Sequence, residues 1–296
     1  MKKTILLTGS SGFLGHTFLV DALKKKYHVI DILRFKNKKN KKLNDLRKKF
    51  PNSYKSIFYQ KNHEIIKKIR NLKVDYFLNF ATLYKASHKN SEIYDFIDSN
   101  ILFPTIILNQ IYKKIEKIIN FGSMMQHLDG LSYKPKNFYA ATKSAFEMII
   151  NFYSLENKKL KFYNIKLYES FAKFDKRKKL IPTLLKNYKN NQTTKINSKK
   201  LELNIVHVDD IINFVNTLLN ENEISGSYCL KQFKNVKISN LIHNINKQLV
   251  KNNKKKLSVE FQNKKIDKIK LSKIKISDKW KPAKHIEKKI IKEFIK

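Results

Sequence analysis

Apolar and polar positions follow two rhythms along the chain. Short runs rich in apolar residues occur at 3–8, 27–33, 55–59, 74–80, 115–121 and 160–167. Between them, at 13–25, 62–71, 91–113 and 138–155, apolar residues recur every three or four positions. The first rhythm predicts strands buried on both faces, and the second predicts helices. Strand alternating with helix implies a parallel sheet with right-handed crossovers, an α/β fold with a doubly wound sheet of Rossmann type. No repeat of solenoid length is present.

Past about residue 170 the rhythm loosens. "RKKLIPTLLKNY" and "VDDIINFVNTLLN" read as helices, "GSYCL" as a strand, and "ISNLIHNINKQLV" as another helix. "KWKPAKHIEKKIIKEFIK" reads as a turn and a last helix. This half is expected to form a smaller C-terminal lid. The division predicted is 1–168 for the first domain, with about 203–222 packing back onto it, and 169–296 for the second.

Composition narrows the class. A chain of 296 residues, 42% hydrophobic, can bury a sizeable core. The start, "MKKTILLTGSSG", has a lysine pair and an apolar run too short for a secretory signal, so it reads as a first strand. No apolar run reaches the roughly 18 residues that span a membrane, and no membrane insertion is expected. One cysteine, Cys229, leaves neither an internal disulfide nor a cysteine metal cluster, and a cytoplasmic setting fits. The net charge of +39 raises the question of nucleic acid. Its lysines are spread over nearly every segment, with Asn and Ile also abundant, as an AT-rich genome imposes. No specific nucleic-acid site is expected, though the excess helps attract anionic ligands. The blocks "KNKKNKK" (36–42) and "KNNKKK" (251–256) read as solvated loops.

Three of the six glycines fall in "TGSSGFLG", between the first strand and the first helix. Such a turn can cradle a pyrophosphate. Gly9 permits the tight bend, Gly12 lets backbone approach the phosphates, and Gly15 lets helix pack on strand. Ser11, Phe13 and Leu14 lie in the same turn, where amides at the helix start face an anion.

The spacing Gly-x-x-Gly-x-x-Gly resembles the extended, nucleotide-sugar-modifying branch of the short-chain dehydrogenase/reductase superfamily. "NFAT" (79–82) resembles that family's cofactor strand and "SNILFPTIIL" (99–108) its Asn-led helix. "FGSMMQH" (121–127) resembles the serine strand and "YAATK" (139–143) the Tyr-x-x-x-Lys signature. "VHVDD" (206–210) and "WKP" (280–282) match its later landmarks. The resemblance implies a nicotinamide cofactor touching Phe80, Ala81 and Asn100, with Thr82 beside the substrate. It implies Ser123, Tyr139 and Lys143 as catalytic residues, with Lys143 also holding the nicotinamide ribose.

Tyr139 and Lys143 are one helical turn apart and share a face. A phenol titrates near ~10, and an adjacent ammonium lowers that value, so Tyr139 can pass a proton at neutral pH. Ser123 would hydrogen-bond the oxygen that becomes or ceases to be a carbonyl. In family members that eliminate water, an Asp-Glu pair follows the hydroxyl residue. Met124 and Met125 stand there instead, and neither transfers a proton. The cysteine of double epimerases is also missing. What remains is hydride transfer at one carbon, by reduction or by 4-epimerisation. Met124 and Gln126 are candidates to face the sugar, and Arg177, Lys178 and Lys179 stand where the family grips the nucleotide diphosphate. "FGSMMQHLDG…NFYAATKSAFE" is most similar to the synthases of CDP-abequose and CDP-paratose and related sugar 4-ketoreductases.

The second strand, "HVIDILRF", carries the cofactor choice. Aligning its apolar core puts Leu33 at the usual acidic position, followed by Arg34. A missing acid beside a cation favours a 2′-phosphate, hence NADPH. A slip of two residues would instead make Asp31 the ribose ligand and favour NAD. The family's aspartate near the adenine is absent, with Asn62 or His63 in its place.

The function expected is NADPH-dependent C4 reduction of a nucleotide-diphospho-4-keto-deoxysugar. The alternatives are an NAD-dependent nucleotide-sugar 4-epimerase and a non-catalytic NADP- or nucleic-acid-binding member. The resemblance also implies a homodimer, and no metal is expected.

Overall fold

The computed structural model describes residues 3–172, 175, 177–264 and 272–295. In chain order the elements are β1 (Thr4–Thr8), α1 (Phe13–Lys24), β2 (His28–Arg34), α2 (Lys41–Lys49), β3 (Tyr54–Tyr59), α3 (His63–Ile69) and β4 (Tyr76–Asn79). There follow α4 (Ile93–Ile97), α5 (Phe103–Ile111), β5 (Lys117–Ser123), α6 (Phe138–Glu156) and β6 (Lys161–Leu167). The later part holds β7 (Glu169–Phe171), α7 (Leu180–Lys189), β8 (Thr194–Ile196), β9 (Glu202–Leu203), β10 (Ile205–His207) and α8 (Val208–Asn220). It ends with β11 (Gly226–Leu230), β12 (Val236–Lys237), α9 (Ile238–Lys251), β13 (Val259–Phe261) and α10 (Ile286–Ile295).

Seven strands form one sheet in the order β11-β6-β5-β4-β1-β2-β3. The β1–β2, β1–β4, β2–β3 and β4–β5 pairs all run parallel. The order reverses beside β1, so the turn after β1 opens at the switch point, where such sheets bind ligands. β4 and β5 are buried at every residue, their few polar side chains included.

The chain divides into two compact units. One comprises residues up to 166, then 212–229 and a stretch ending at 277. The other comprises 167–211, the residues that follow 229, and the C-terminal part from 278. The segment that rejoins the first unit is therefore 212–229, where the sequence pattern suggested 203–222. One core lies on a single face of the sheet, where Leu6, Phe77 and Ile118 of the strands meet Ile107 of α5 and Phe146 and Ile150 of α6. The second unit has its own core of Phe171, Leu184, Ile205, Leu241, Ile245 and Phe294. Its strands pair as β7–β10, β8–β13 and β9–β12.

Two local features depart from the sequence pattern. The helix expected over 91–113 is interrupted at Asp98–Leu102 by a π-helical turn. Pro104 follows directly and has no amide hydrogen for the carbonyl four residues back, so the regular ladder cannot run through. The block 36–42, expected as a loop, is a 3-10 turn at Phe35–Lys39 and then the start of α2, capped by the Asn40 side chain. Only Leu43 of α2 is buried, which is why the apolar pattern is silent there.

A row of buried polar side chains crosses the sheet. Thr8 Oγ1 donates to Asn79 Oδ1 at 2.8 Å, Asn79 to Asn120 at 3.1 Å, and Asn120 to Asn164 at 3.3 Å. One residue from each of β1, β4, β5 and β6 takes part. A register slip would leave these amides buried and unpaired, so the row fixes the strands relative to one another.

Candidate active site

The glycine turn has the geometry its residues require. Gly9 has φ +79°, and a Cβ there would lie 2.5 Å from the backbone of Phe80 and Ala81. A Cβ at Gly15 would run into the Gly9 carbonyl. Gly12 is the N-cap of α1 and provides no capping side chain, so the first amides of the helix are left for another acceptor. Phe13 and Leu14 form the first turn of α1.

A crevice of about 220 Å³ opens at this turn. Gly9, Ser11 and Gly12 form its floor, and Leu33, Arg34, Lys36 and Asn37 bound it at the end of β2. Phe80, Ala81, Thr82 and Leu83 form the wall after β4, with Ser99 nearby. Phe80 is fixed between Phe18 and Phe121, at 5.4 and 4.2 Å between ring centroids. The groups present match a dinucleotide: a glycine cradle for diphosphate, an uncapped helix start, and apolar walls for a ring.

Asp31 takes no part in that crevice. It is fully buried and accepts hydrogen bonds from Ser10, under the glycine turn, and from Tyr54 at 2.7 Å. Burial pushes its carboxyl up to about 6. Arg34 does reach the crevice. Its Nη2 donates to Ser99 Oγ at 2.6 Å and lies 3.3 Å from Asp98 Oδ2. Asn62 donates to the other Asp98 oxygen at 2.6 Å, so it acts through Asp98.

The catalytic candidates sit close by in the same unit. Ser123 ends β5 and is nearly buried; its Oγ accepts from the Met125 amide at 3.2 Å. Tyr139 lies in the first turn of α6, where the Asn137 side chain caps the Ala140 amide. Its ring meets Tyr84 edge-on at 5.0 Å, and Tyr84 directly follows the residues lining the crevice. Lys143 lies one turn further along and is buried. Among the described residues its ammonium has no hydrogen-bond partner, so burial lowers it from 10.5 to about 8. Glu147 opposes that fall and Lys166 adds to it.

Three expected site residues are placed differently. Asn100, expected at the cofactor, is 1% exposed and has its amide fully engaged. It accepts from Thr82 Oγ1 and the Leu83 amide, and donates to the Leu83 carbonyl and to Thr142 Oγ1. The π-helical turn is what points it inward, and it ties the crevice wall to α6. Gln126, expected at the sugar, is fully buried. It accepts from the Ser123 amide at 2.8 Å and donates to Ser144 on α6, bracing the serine from behind. Met124 is also fully buried, with its sulfur 3.7 Å from Cys229 Sγ. Chain direction explains all three: a motif places a residue near a site, but the side chain takes the face its backbone turn allows.

The candidates for the diphosphate lie in the second unit. Arg177 folds back on Asp175, at 2.6 and 2.8 Å, and on Ser170 Oγ at 2.9 Å. Lys179 pairs with Glu169 at 2.8 Å, and Lys178 is exposed. Sequence reasoning missed Asp98, Tyr84 and the buried Glu147. The Tyr-Lys-Glu spacing at 139, 143 and 147 was the available signal for the last. Among the described residues no group of three His, Cys, Asp or Glu side chains is placed to hold a metal.

Known proteins give the setting. Residues 5–230 match the model of the NAD dependent epimerase/dehydratase family. The CDP-abequose synthase of Yersinia pseudotuberculosis is 28% identical over 211 residues, 70% of each chain. That of Salmonella muenchen is 24% identical over 77% of this chain and 74% of its own. UDP-glucuronic acid 4-epimerase from Bacillus cereus, solved with UDP-glucuronic acid and NAD, superposes with a TM-score of 0.80 at 17% identity, over 98% of both chains. UDP-glucose 4-epimerase from Bifidobacterium longum, solved with NAD+ and UDP, gives 0.79 at 15%, over 99% of this chain and 97% of its own. The crevice at the first βα turn and the Tyr-x-x-x-Lys helix beside it thus stand in a known setting: the chain belongs to the NAD dependent epimerase/dehydratase family.

Proposed function

We propose that the protein is an NADPH-dependent reductase of C4 in a nucleotide-diphospho-4-keto-deoxysugar. The observation that carries this reading is the buried Tyr139/Lys143 face of α6, packed through Tyr84 against the wall of the dinucleotide crevice. A nicotinamide dinucleotide bound there supplies the hydride. Gly9, Gly12 and the start of α1 would hold its diphosphate. Tyr139 gives its phenol proton to the C4 oxygen as the ketone becomes an alcohol. The Lys143 ammonium steadies the phenolate left behind, and Ser123 donates a hydrogen bond to the same oxygen.

Two features favour reduction over loss of water. Met124 is sealed in the interior and Met125 bears no proton, so no acid-base pair follows Ser123. The likeness to CDP-abequose synthases supports the same substrate class. NADPH is favoured because Asp31 is committed to Ser10 and Tyr54, while Arg34 and Lys36 border the crevice. We also propose a homodimer formed through α4–α5 and α6.

Purified protein with a panel of nucleotide-linked 4-keto sugars tests this. NADPH consumption at 340 nm is expected, and Tyr139→Phe should lower kcat by roughly 10²–10⁴-fold while leaving NADPH binding intact. Protein that carries NAD and interconverts sugar epimers without added cofactor would establish 4-epimerisation instead. No turnover of any 4-keto sugar, with Tyr139→Phe indistinguishable from wild type, would overturn the catalytic reading.

A further inference from the structure

Behind the Tyr139/Lys143 face lies an ion pair with no access to water. Glu147 of α6 and Lys166 of β6 are both 0% exposed and in direct contact. Tyr133, in the loop before α6, donates its hydroxyl to the same Glu147 oxygen at 3.0 Å and lies under the Lys166 ammonium, 5.3 Å from ring centroid to Nζ. The other carboxylate oxygen, Oε1, is buried with no hydrogen-bond partner. It lies against Gly122, one residue before Ser123. A Cβ at position 122 would be 2.6 Å from Glu147 Oε1, 2.6 Å from Gln126 Oε1 and 3.0 Å from the Lys166 chain. The serine strand thus gives up a side chain to admit the pair.

We propose that Glu147 and Lys166 are positioning residues that set the charge of Lys143, and through it the proton affinity of Tyr139. This rests on the reading of Tyr139 as the proton donor. A buried ion pair contributes little net stability, because desolvation offsets the attraction. Its placement says more. Tyr139, Lys143 and Glu147 are successive turns of one helix face, so the carboxylate acts on the ammonium four residues before it. An ammonium buried without a hydrogen-bond partner needs a nearby anion to stay charged, and Glu147 is that anion. Lys166 cancels part of its field and holds the carboxylate in place by direct contact. The other titratable groups facing this cluster are His127 after β5, Tyr133 before α6, Tyr84 after β4 and Cys229 on β11. His127 is buried, its Nε2 has no partner, and burial holds it below its usual range, so it is neutral at pH 7.

The test compares wild type with Glu147→Gln and with the double variant Glu147→Leu/Lys166→Met. The double variant fills the same space without charge and guards against a single variant that fails to fold. For kcat/KM of reduction, the alkaline limb should fall by about half a pH unit or more in Glu147→Gln, because Lys143 loses its proton earlier. The double variant should move it the same way by less. Tyr139 phenolate absorbance, taken as the difference from Tyr139→Phe with NADP+ bound, should appear at higher pH in both. That titration needs no sugar, so it decides the proposal even if the reductase reading fails. Folded variants that bind NADP+ but show wild-type limb and phenolate titration would overturn it.

Discussion

Lys143 illustrates a conflict between stability and chemistry at one residue. Burial holds its ammonium at about 8 in the folded protein, against 10.5 in an unfolded chain. Below pH 8 the unfolded chain therefore holds this proton more tightly, and the ammonium opposes folding in full. As pH rises from 8 to 10.5 that opposition fades. A difference of this size corresponds to about 3 kcal/mol. Lys143→Met should therefore be inactive yet more stable than wild type at pH 7, by up to about 3 kcal/mol. The gain should shrink when urea unfolding is repeated at pH 10. Arg34 carries a second prediction. It borders the crevice, but Asp98 already holds part of its charge. Arg34→Ala should raise the Kd for NADPH about tenfold or more with little effect on NADH. Asp98→Asn, which frees the guanidinium for a phosphate, should tilt the ratio of the two affinities toward NADPH. Fluorescence titration with both cofactors reads the two variants together.

Among the elements, the π-helical turn before Pro104 does most to assemble the site. It turns Asn100 inward, where one amide joins the crevice wall at Thr82 and Leu83 to Thr142 on α6. Asn100→Ala leaves the Leu83 amide and carbonyl and the Thr142 hydroxyl to find other partners. Each buried group left unpaired costs roughly 1–3 kcal/mol. Denaturant unfolding should show that loss, and kcat should fall more than NADPH affinity, because α6 carries the proposed proton donor and the glycine turn does not depend on Asn100. The same element shows what a sequence can disclose. The alternation of β1 to β6 with helices was readable because strands buried on both faces are rich in apolar residues. The glycine turn was readable because its backbone tolerates no side chain at Gly9 or Gly15. Tyr139, Lys143 and Ser123 were singled out by their spacing, their order and the family resemblance. The inward turn of Asn100 and the burial of Gln126 were not readable, since both depend on one extra residue in a helix or on a turn after a strand. The short strands β7, β8, β9, β10, β12 and β13 escaped for another reason. At two or three residues each, they have no period to detect.

At the scale of the whole molecule, the distribution of charge bears on the proposed dimer. The chain has 63 Lys and Arg residues and a net charge of +39. Yet the stretch from α4 through α5, residues 93–111, contains no Lys or Arg, and α6 contains only the buried Lys143. Both helices expose large apolar groups instead. Tyr94 is 86% exposed beside Ile93, Ile97 and Leu102, and Leu155 is 63% exposed in line with Met148 and Phe152. A strongly cationic chain pays electrostatic repulsion wherever copies meet, so a lysine-free apolar face is a place where burial can exceed it. Two consequences oppose each other. Salt screens repulsion between protomers, so dimerisation should strengthen from about 50 mM to about 500 mM salt. Salt equally screens the attraction of an anionic nucleotide, so NADPH binding should weaken over the same range. Phe152→Glu places a charge in the centre of the apolar row and should give a monomer at every salt concentration. Sedimentation velocity across the salt series, with cofactor titration alongside, checks this. A dimer that weakens with salt, or one that survives Phe152→Glu, would place the interface elsewhere. Because α6 bears Tyr139 and Lys143 on its buried side, a dimer formed on its outer side would hold this helix from both directions, and the monomeric variant should lose kcat as well as mass.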